Sequence, residues 1–534
     1  MSIKQPNILI LMTDQHRFDA LGCAGNDSIE TPNIDRLAQS GCHFTNAYCP
    51  TPVCVSSRMS FITGLRLASH RYPTNNPLPG PVPEQPTLMT LLHRAGYHTQ
   101  GVGKMHFMGR HYGFQDLKSM EECPEFRIDD DYLMYLKEQG VRTRYPQGLR
   151  DLLYCQPQTT DIPAEHSKSA WVARESVECL KRHVQHRQGT PFLLWSSWIA
   201  PHPPYAPCEP YASMYDPAAM DLPVFAERPA STIPVARAMR GRLDGAHLDE
   251  ARIRRIRALY YGMISQVDEG VGRILDTLED LGLAASTVVL FLSDHGDMLG
   301  DHGLSQKNVP YEASVRIPMI LRWPGRTEPG STSAALAGIE DVLPTVIEEL
   351  GLARDPGADP LTGKSLLREQ GDEYVIDYGA GDQRWVAVRQ GAYKYVIWAR
   401  GGHEELYDLE NDPHETKNLA AEDRERAAQM KQKVLAWETV HGLKDSREGD
   451  DWKTCPATPC ETEVPRCVNV NEGRWPENLP DEEKDSVETY AEAFTKAISK
   501  ESSLSPSKLS LGLYKKNGGH PLTGTPWEEA WENA

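Results

Sequence analysis

The chain has no apolar run longer than five residues, Ile8–Met12 and Val288–Leu292 among them, far short of the ~18 that a membrane-spanning helix needs. No membrane span is expected. No basic segment, long apolar stretch or small-residue cleavage site precedes Ile8, so the chain as given predicts a cytoplasmic protein. Positive charge is also in deficit: 56 Lys and Arg against 75 Asp and Glu leave a net −19. Nucleic acid is disfavoured as a partner, because neutralising a polyanion takes clustered cations. Cysteine is sparse and unpatterned, eleven in 534 residues with no CxxC pair, which argues against a disulfide framework. Cys455, Cys460 and Cys467 cluster without a nearby fourth ligand, so they read as free thiols and not as structural zinc. Gly and Pro, 41 and 40, are too few and too scattered for a fibrous or disordered chain, and there are no internal repeats.

What is present is an alternation of short β-rich runs with amphipathic stretches. The runs are Ile8–Met12, His98–Val102, Phe192–Trp198, Val288–Leu292 and Pro318–Leu321; the helical stretches are Thr31–Ser40, Thr87–Ala95, Ser167–His186, Asp249–Leu281 and Glu340–Leu350. This pattern predicts an α/β unit, a large, mostly parallel sheet flanked by helices. A Gly- and Pro-rich stretch, Arg354–Gly363, reads as a linker. Beyond it, Arg384–Gln390, Ala392–Trp398 and Glu405–Leu409 follow in close succession and predict a smaller antiparallel sheet, with a helix over Ala420–His441. The expected division is a catalytic unit at 1–362, a small α+β unit at 363–443 and a polar extension at 444–534.

Asp14-Gln15 and Asp294-His295 each follow directly on an expected strand. Carboxyl ends of strands are where open α/β sheets bind ligands, so the two pairs can converge on one metal; either aspartate alone would read more often as a turn residue than as a ligand. Cys54-Val55-Ser56-Ser57-Arg58 places a thiol just ahead of an expected helix N-terminus with an arginine one turn in. Free N–H groups and the positive dipole end there suit an anion or a nucleophile that becomes one. A buried cysteine followed by a capping serine is the plainer alternative.

Cys54-x-Ser-x-Arg58 followed by Met59–Gly64 resembles the signature of the type I, formylglycine-dependent sulfatases, of the alkaline phosphatase-like superfamily. Asn7–Gly22, Thr31–Leu37, Gly103–His106, Pro201–Pro204, Ser293–Gly296 and Tyr407–Leu419 also resemble family segments, in family order. The resemblance implies that Cys54 is oxidised to formylglycine by a maturation enzyme. One hydroxyl of its hydrate would attack sulfur and the other, once deprotonated, would expel sulfate. It further implies a calcium-type divalent site made by Asp14, Gln15, residue 54, Asp294 and His295, with magnesium and manganese open because His295 offers nitrogen and Gln15 lacks a charge. By the same resemblance Arg58 holds the nucleophile, Lys104 and Lys307 grip sulfate oxygens, and His106 and His202 handle protons. The implied activity is hydrolysis of a small sulfate ester, with a sugar as the first substrate class. A phosphonate monoester or phosphodiester hydrolase shares the same site. Ser56, where relatives carry proline or alanine, leaves room for a third reading, an unmatured chain that binds sulfated glycans. No oligomeric state follows from the sequence.

Overall fold

The computed structural model describes residues 5–107, 110–122, 130–141, 157–225 and 250–456. Its core is an eight-stranded sheet. In chain order the strands are β1 (Asn7–Asp14), β2 (Cys42–Phe44), β3 (His98–Gly103), β4 (Asp116–Ser119), β5 (Phe192–Pro201), β6 (Thr287–Ser293), β7 (Met319–Arg322) and β8 (Ser331–Ser333), in the spatial order β8-β2-β7-β6-β1-β5-β3-β4. Neighbours pair in parallel except at β7, which runs antiparallel to both β2 and β6.

The strands β1 and β6 at the centre are near-continuous apolar runs because both faces of the sheet are covered. Leu9 and Leu11 of β1 enter one core with α1 (Pro32–Ser40), α4 (Lys168–His186) and α5 (Glu250–Asp280). Ile8, Ile10 and Met12 enter the other, beneath α2 (Cys54–Thr63), α3 (Leu88–Arg94) and α6 (Val342–Leu350). Every strand expected from sequence is present. The three it missed in this sheet, β2, β4 and β8, have three or four residues and lie at or near the sheet edges, too short for a period to register.

The smaller sheet has four antiparallel strands, β9 (Glu373–Tyr378), β10 (Trp385–Gln390), β11 (Tyr393–Trp398) and β12 (Glu404–Asp408). One strand more than expected is present, since β9 directly follows the polar 369–372 stretch. Alternate residues split between two cores, as a two-sided sheet requires. Ile376, Trp385, Ala387 and Val396 pack with Tyr48, Val53 and Val309 of the large unit. Val386, Val388 and Ile397 pack under α7 (Arg424–His441). Among the described residues no helix is long and apolar enough to cross a membrane, and seven cysteines are all free. Cys460, Cys467 and the extension beyond 456, with much of the 108–165 segment, lie outside the described residues.

Candidate active site

Four of the expected residues are the residues at which strands β1, β3, β5 and β6 end or give way to loops on the carboxyl edge of the sheet. Asp14 ends β1, Lys104 follows β3, His202 follows β5 and Asp294 follows β6. In-register pairing of Thr13 with Ser293 sets Asp14 beside Asp294, and the Asp294 N–H donates to Thr13 O at 3.3 Å. Lys104 N–H donates to Ser197 O at 3.0 Å, and this close crossing of β3 on β5 needs a glycine before it: at Gly103, with φ +94°, a Cβ would lie 1.9 Å from Ser197 O.

Cys54 is the first residue of α2, not one ahead of it, and no serine caps the helix; Val53 is the N-cap and Asn75 Oδ1 accepts from Val55 N–H at 3.0 Å. The thiol faces His295 Nε2 at 3.1 Å and Asp14 Oδ1 at 3.8 Å. One donor atom each from Asp14, Cys54, Asp294 and His295, all buried, lies within 4.8 Å of the others. This donor set, two carboxylates with an imidazole and residue 54, fits a divalent cation.

Arg58, fully buried, ties the strand ends together. Its Nε donates to Asp294 Oδ2 at 2.8 Å, one terminal nitrogen to Asp14 Oδ2 at 3.4 Å, and the other to Lys104 O at 2.6 Å and Ser197 Oγ at 3.1 Å. Its hydrogen bonds therefore run to the two aspartates and the loops around them. Lys104 pairs with Asp14 and Glu122. Burial opposes ionisation of Asp14, but the charges of Lys104, His202, His295 and Arg58 outweigh it and hold the carboxyl well below its usual range. Burial and Asp14 also push the Cys54 thiol up, and Lys104, Lys307 and His295 together more than reverse that, favouring thiolate. Burial and Lys104 lower His106 to about 3, so its imidazole is neutral near pH 7.

Gln15 N–H donates to Asp294 Oδ1 at 3.1 Å, while its side chain has other partners. In a left-handed conformation, φ 65°, it spends its amide elsewhere: Nε2 donates to Asp297 Oδ2 at 2.8 Å and Oε1 accepts from Lys307 Nζ at 2.6 Å. Asp297 also accepts from Tyr205, Leu299 N–H and Gln306 N–H, so Lys307 is held by a buried polar relay. His202 Nδ1 lies 2.6 Å from Pro203 O and its Nε2 3.5 Å from Glu122 Oε1. Glu121 Oε1 accepts from the N–H groups of His106 and Met105, at 2.8 and 3.2 Å, and braces the Lys104–His106 turn. Sequence reasoning missed Glu121, Glu122, Asp297 and Asn75. None stands in a strand-end pair or a spaced motif, so no local signal marks them.

Residues 6–352 match the sulfatase family, and 300–439 match the family described as N-sulphoglucosamine sulphohydrolase, C-terminal. The protein belongs to the sulfatase family. This sulfatase is 29% identical to an arylsulfatase of Clostridium perfringens over 78% of its own chain and 90% of that relative's. It is 30% identical to a choline-sulfatase of Rhizobium meliloti over 79% and 84%. Its fold is alkaline phosphatase-like: the crystal structure of a phosphonate monoester hydrolase of Agrobacterium radiobacter superposes with a TM-score of 0.71 at 25% identity, covering 82% of the sulfatase and 96% of the hydrolase. As a member of this family it is a hydrolase.

Proposed function

We propose that this sulfatase hydrolyses the sulfate ester of a small molecule, a sugar sulfate first, with residue 54 as nucleophile after its conversion from cysteine to formylglycine. The observation that carries the reading is the placement of Cys54 at the start of α2, among Asp14, Asp294 and His295 and within the field of Lys104 and Lys307. A hydrated formylglycine supplies two hydroxyls on one carbon, and a divalent ion held by Asp14, Asp294 and His295 supplies positive charge that acidifies a hydroxyl and screens the sulfuryl oxygens. The protein's own residues do the rest. Lys104 and Lys307 meet the anion with charge fixed before it arrives, which avoids reorganisation during reaction. Arg58 aligns the two aspartates. His202, with Nδ1 directed at the Pro203 carbonyl, presents Nε2 for protonation of the leaving oxygen. His106, neutral near pH 7 because burial and Lys104 lower it to about 3, offers an uncharged imidazole for hydrogen bonding to the reacting oxygens and is a weak proton acceptor. The names of the two relatives, arylsulfatase and choline-sulfatase, support a small ester in place of a sulfated polymer, and so does the net charge of −19.

A second reading, hydrolysis of phosphonate monoesters or phosphodiesters, is favoured by the 0.71 TM-score with the phosphonate monoester hydrolase. Tryptic mass spectrometry of the Cys54 peptide, with parallel assays on an aryl sulfate and an aryl phosphonate, tests both. Formylglycine with preference for the sulfate is expected. Preference for the phosphonate selects the second reading; a wholly unmodified thiol in active preparations overturns the nucleophile, and in inactive ones supports a sulfated-glycan-binding role for the unmatured chain.

A further inference from the structure

The chain as encoded carries a thiol at position 54, and the donors around that thiol have the dimensions of a closed metal site. Cys54 Sγ lies 3.1 Å from His295 Nε2 and 3.8 Å from Asp14 Oδ1, while His295 Nε2 lies 3.7 Å from Oδ1 of Asp14 and 3.7 Å from Oδ1 of Asp294. A tetrahedral zinc ion, with Zn–S of about 2.3 Å and Zn–N and Zn–O near 2.0–2.2 Å, sets neighbouring donors about 3.3–3.7 Å apart. The observed edges bracket that span. The outer shell is in place as well. His295 Nδ1 lies 3.0 Å from Gly296 O, so the proton sits on Nδ1 and the Nε2 lone pair faces inward. Arg58 holds Oδ2 of both aspartates, so each turns Oδ1 to the centre. Two carboxylates and a thiolate bring three negative charges, one more than a divalent ion cancels, and the Arg58 and Lys104 cations adjoin them.

We propose that the unconverted chain binds one thiophilic divalent ion, zinc in preference to calcium or magnesium, through Cys54, His295, Asp14 and Asp294. The preference follows from the donors, since thiolate and imidazole suit zinc whereas calcium and magnesium take oxygen. On binding, the Cys54 S–H proton passes to solvent as the sulfur–zinc bond forms; the other three ligands give lone pairs and nothing is oxidised. A four-ligand site has no open position for a substrate, and its sulfur is blocked from oxidation to formylglycine. Zinc loading and maturation therefore exclude one another. That consequence rests on the proposed role of Cys54 as the convertible residue; the ion binding does not.

The test uses the full chain with an unmodified Cys54 verified by mass spectrometry, stripped of metal and titrated with Co2+ as a spectroscopic stand-in. Expected are the intense visible absorption of four-coordinate cobalt and a thiolate-to-cobalt charge-transfer band, both removed by one equivalent of Zn2+ and unchanged by Ca2+. Cys54→Ser should lose the charge-transfer band, and His295→Asn should weaken Zn2+ binding by about 100-fold or more, given that losing even an outer-shell partner costs 10–100-fold. Thermal unfolding in chelator checks that both variants are folded. Absence of the band in the folded thiol form, its persistence in Cys54→Ser, or displacement of cobalt by Ca2+ as readily as by Zn2+ overturns the proposal. Aryl sulfate turnover by the converted chain is measured separately, so loss of the enzymatic reading would leave the cobalt result standing.

Discussion

Asp14 and Asp294 sit side by side with no solvent to screen them, and Arg58 is the residue that makes their proximity stable. It bridges both carboxylates from one planar group while its remaining donor fastens the Lys104 loop, a geometry that lysine's single ammonium cannot reproduce. Replacing it with an apolar side chain of similar length strands two buried charges. Arg58→Met should therefore cost about 3–5 kcal/mol, read as a fall in thermal or denaturant midpoint; an unchanged midpoint would mean that Lys104 and His295 suffice. Cys54 differs in kind. Its side chain is small and its contacts are with donors that other groups also satisfy, so Cys54→Ala should leave the fold intact, by circular dichroism, and abolish turnover of an aryl sulfate. Measurable residual turnover would remove residue 54 from the role of nucleophile.

At the scale of elements, helix α1 begins at Pro32 after Thr31, whose side chain makes no capping bond. The cap comes instead from α5: Asp268 accepts from the N–H groups of Asn33 and Ile34, at 3.0 and 2.8 Å, and from Asn33 Nδ2 at 2.8 Å. Burial nevertheless raises Asp268 to about 6. A carboxyl whose folded value lies above its ordinary 3.8 binds a proton more readily in the folded chain. The stability linked to that proton is complete below about pH 4 and is lost as pH rises through about 6. Asp268→Asn keeps an acceptor and removes the titration. Relative to this variant, the natural protein should lose up to about 3 kcal/mol between roughly pH 4 and pH 8, followed by thermal unfolding at each pH; parallel curves would show that Asp268 does not carry the dependence. The same pair of elements shows a limit of sequence patterns. Thr31-Pro32 marks a helix start locally, but its capping acceptor lies 235 residues away and no spacing announces it.

At the scale of the whole molecule, the small sheet abuts the loop that precedes Cys54 and the loop that follows Lys307. Asp377 N–H donates to Pro50 O, Asn308 N–H to Pro52 O, and Trp385 Nε1 to Asn308 O. Behind these contacts Lys394 of β11, fully buried, pairs with Glu312 of the large unit and with Glu415, and donates to Pro310 O at 2.8 Å. Lys394→Met leaves two carboxylates short of their nearest cation and should destabilise the protein by about 3–5 kcal/mol, lowering turnover through the Pro50–Pro52 loop although Lys394 is remote from Cys54. Unaltered unfolding would show that Arg316 and Arg389, which also face Glu312, hold the interface alone. By itself the sequence determined the α/β class, the central strands and the carboxylate, lysine and histidine side chains that follow them, because a strand covered on both faces must be largely apolar and a loop at its carboxyl end is free to carry chemistry. Only the tertiary structure decided which of these side chains meet. Gln15, adjacent to Asp14 in the chain, turns to Asp297 and Lys307, 282 and 292 residues on, and Glu122 joins Lys104 and His202 from a short edge strand's loop. Such pairings depend on the register between strands distant in sequence, which fixes the distances and directions that no local pattern encodes.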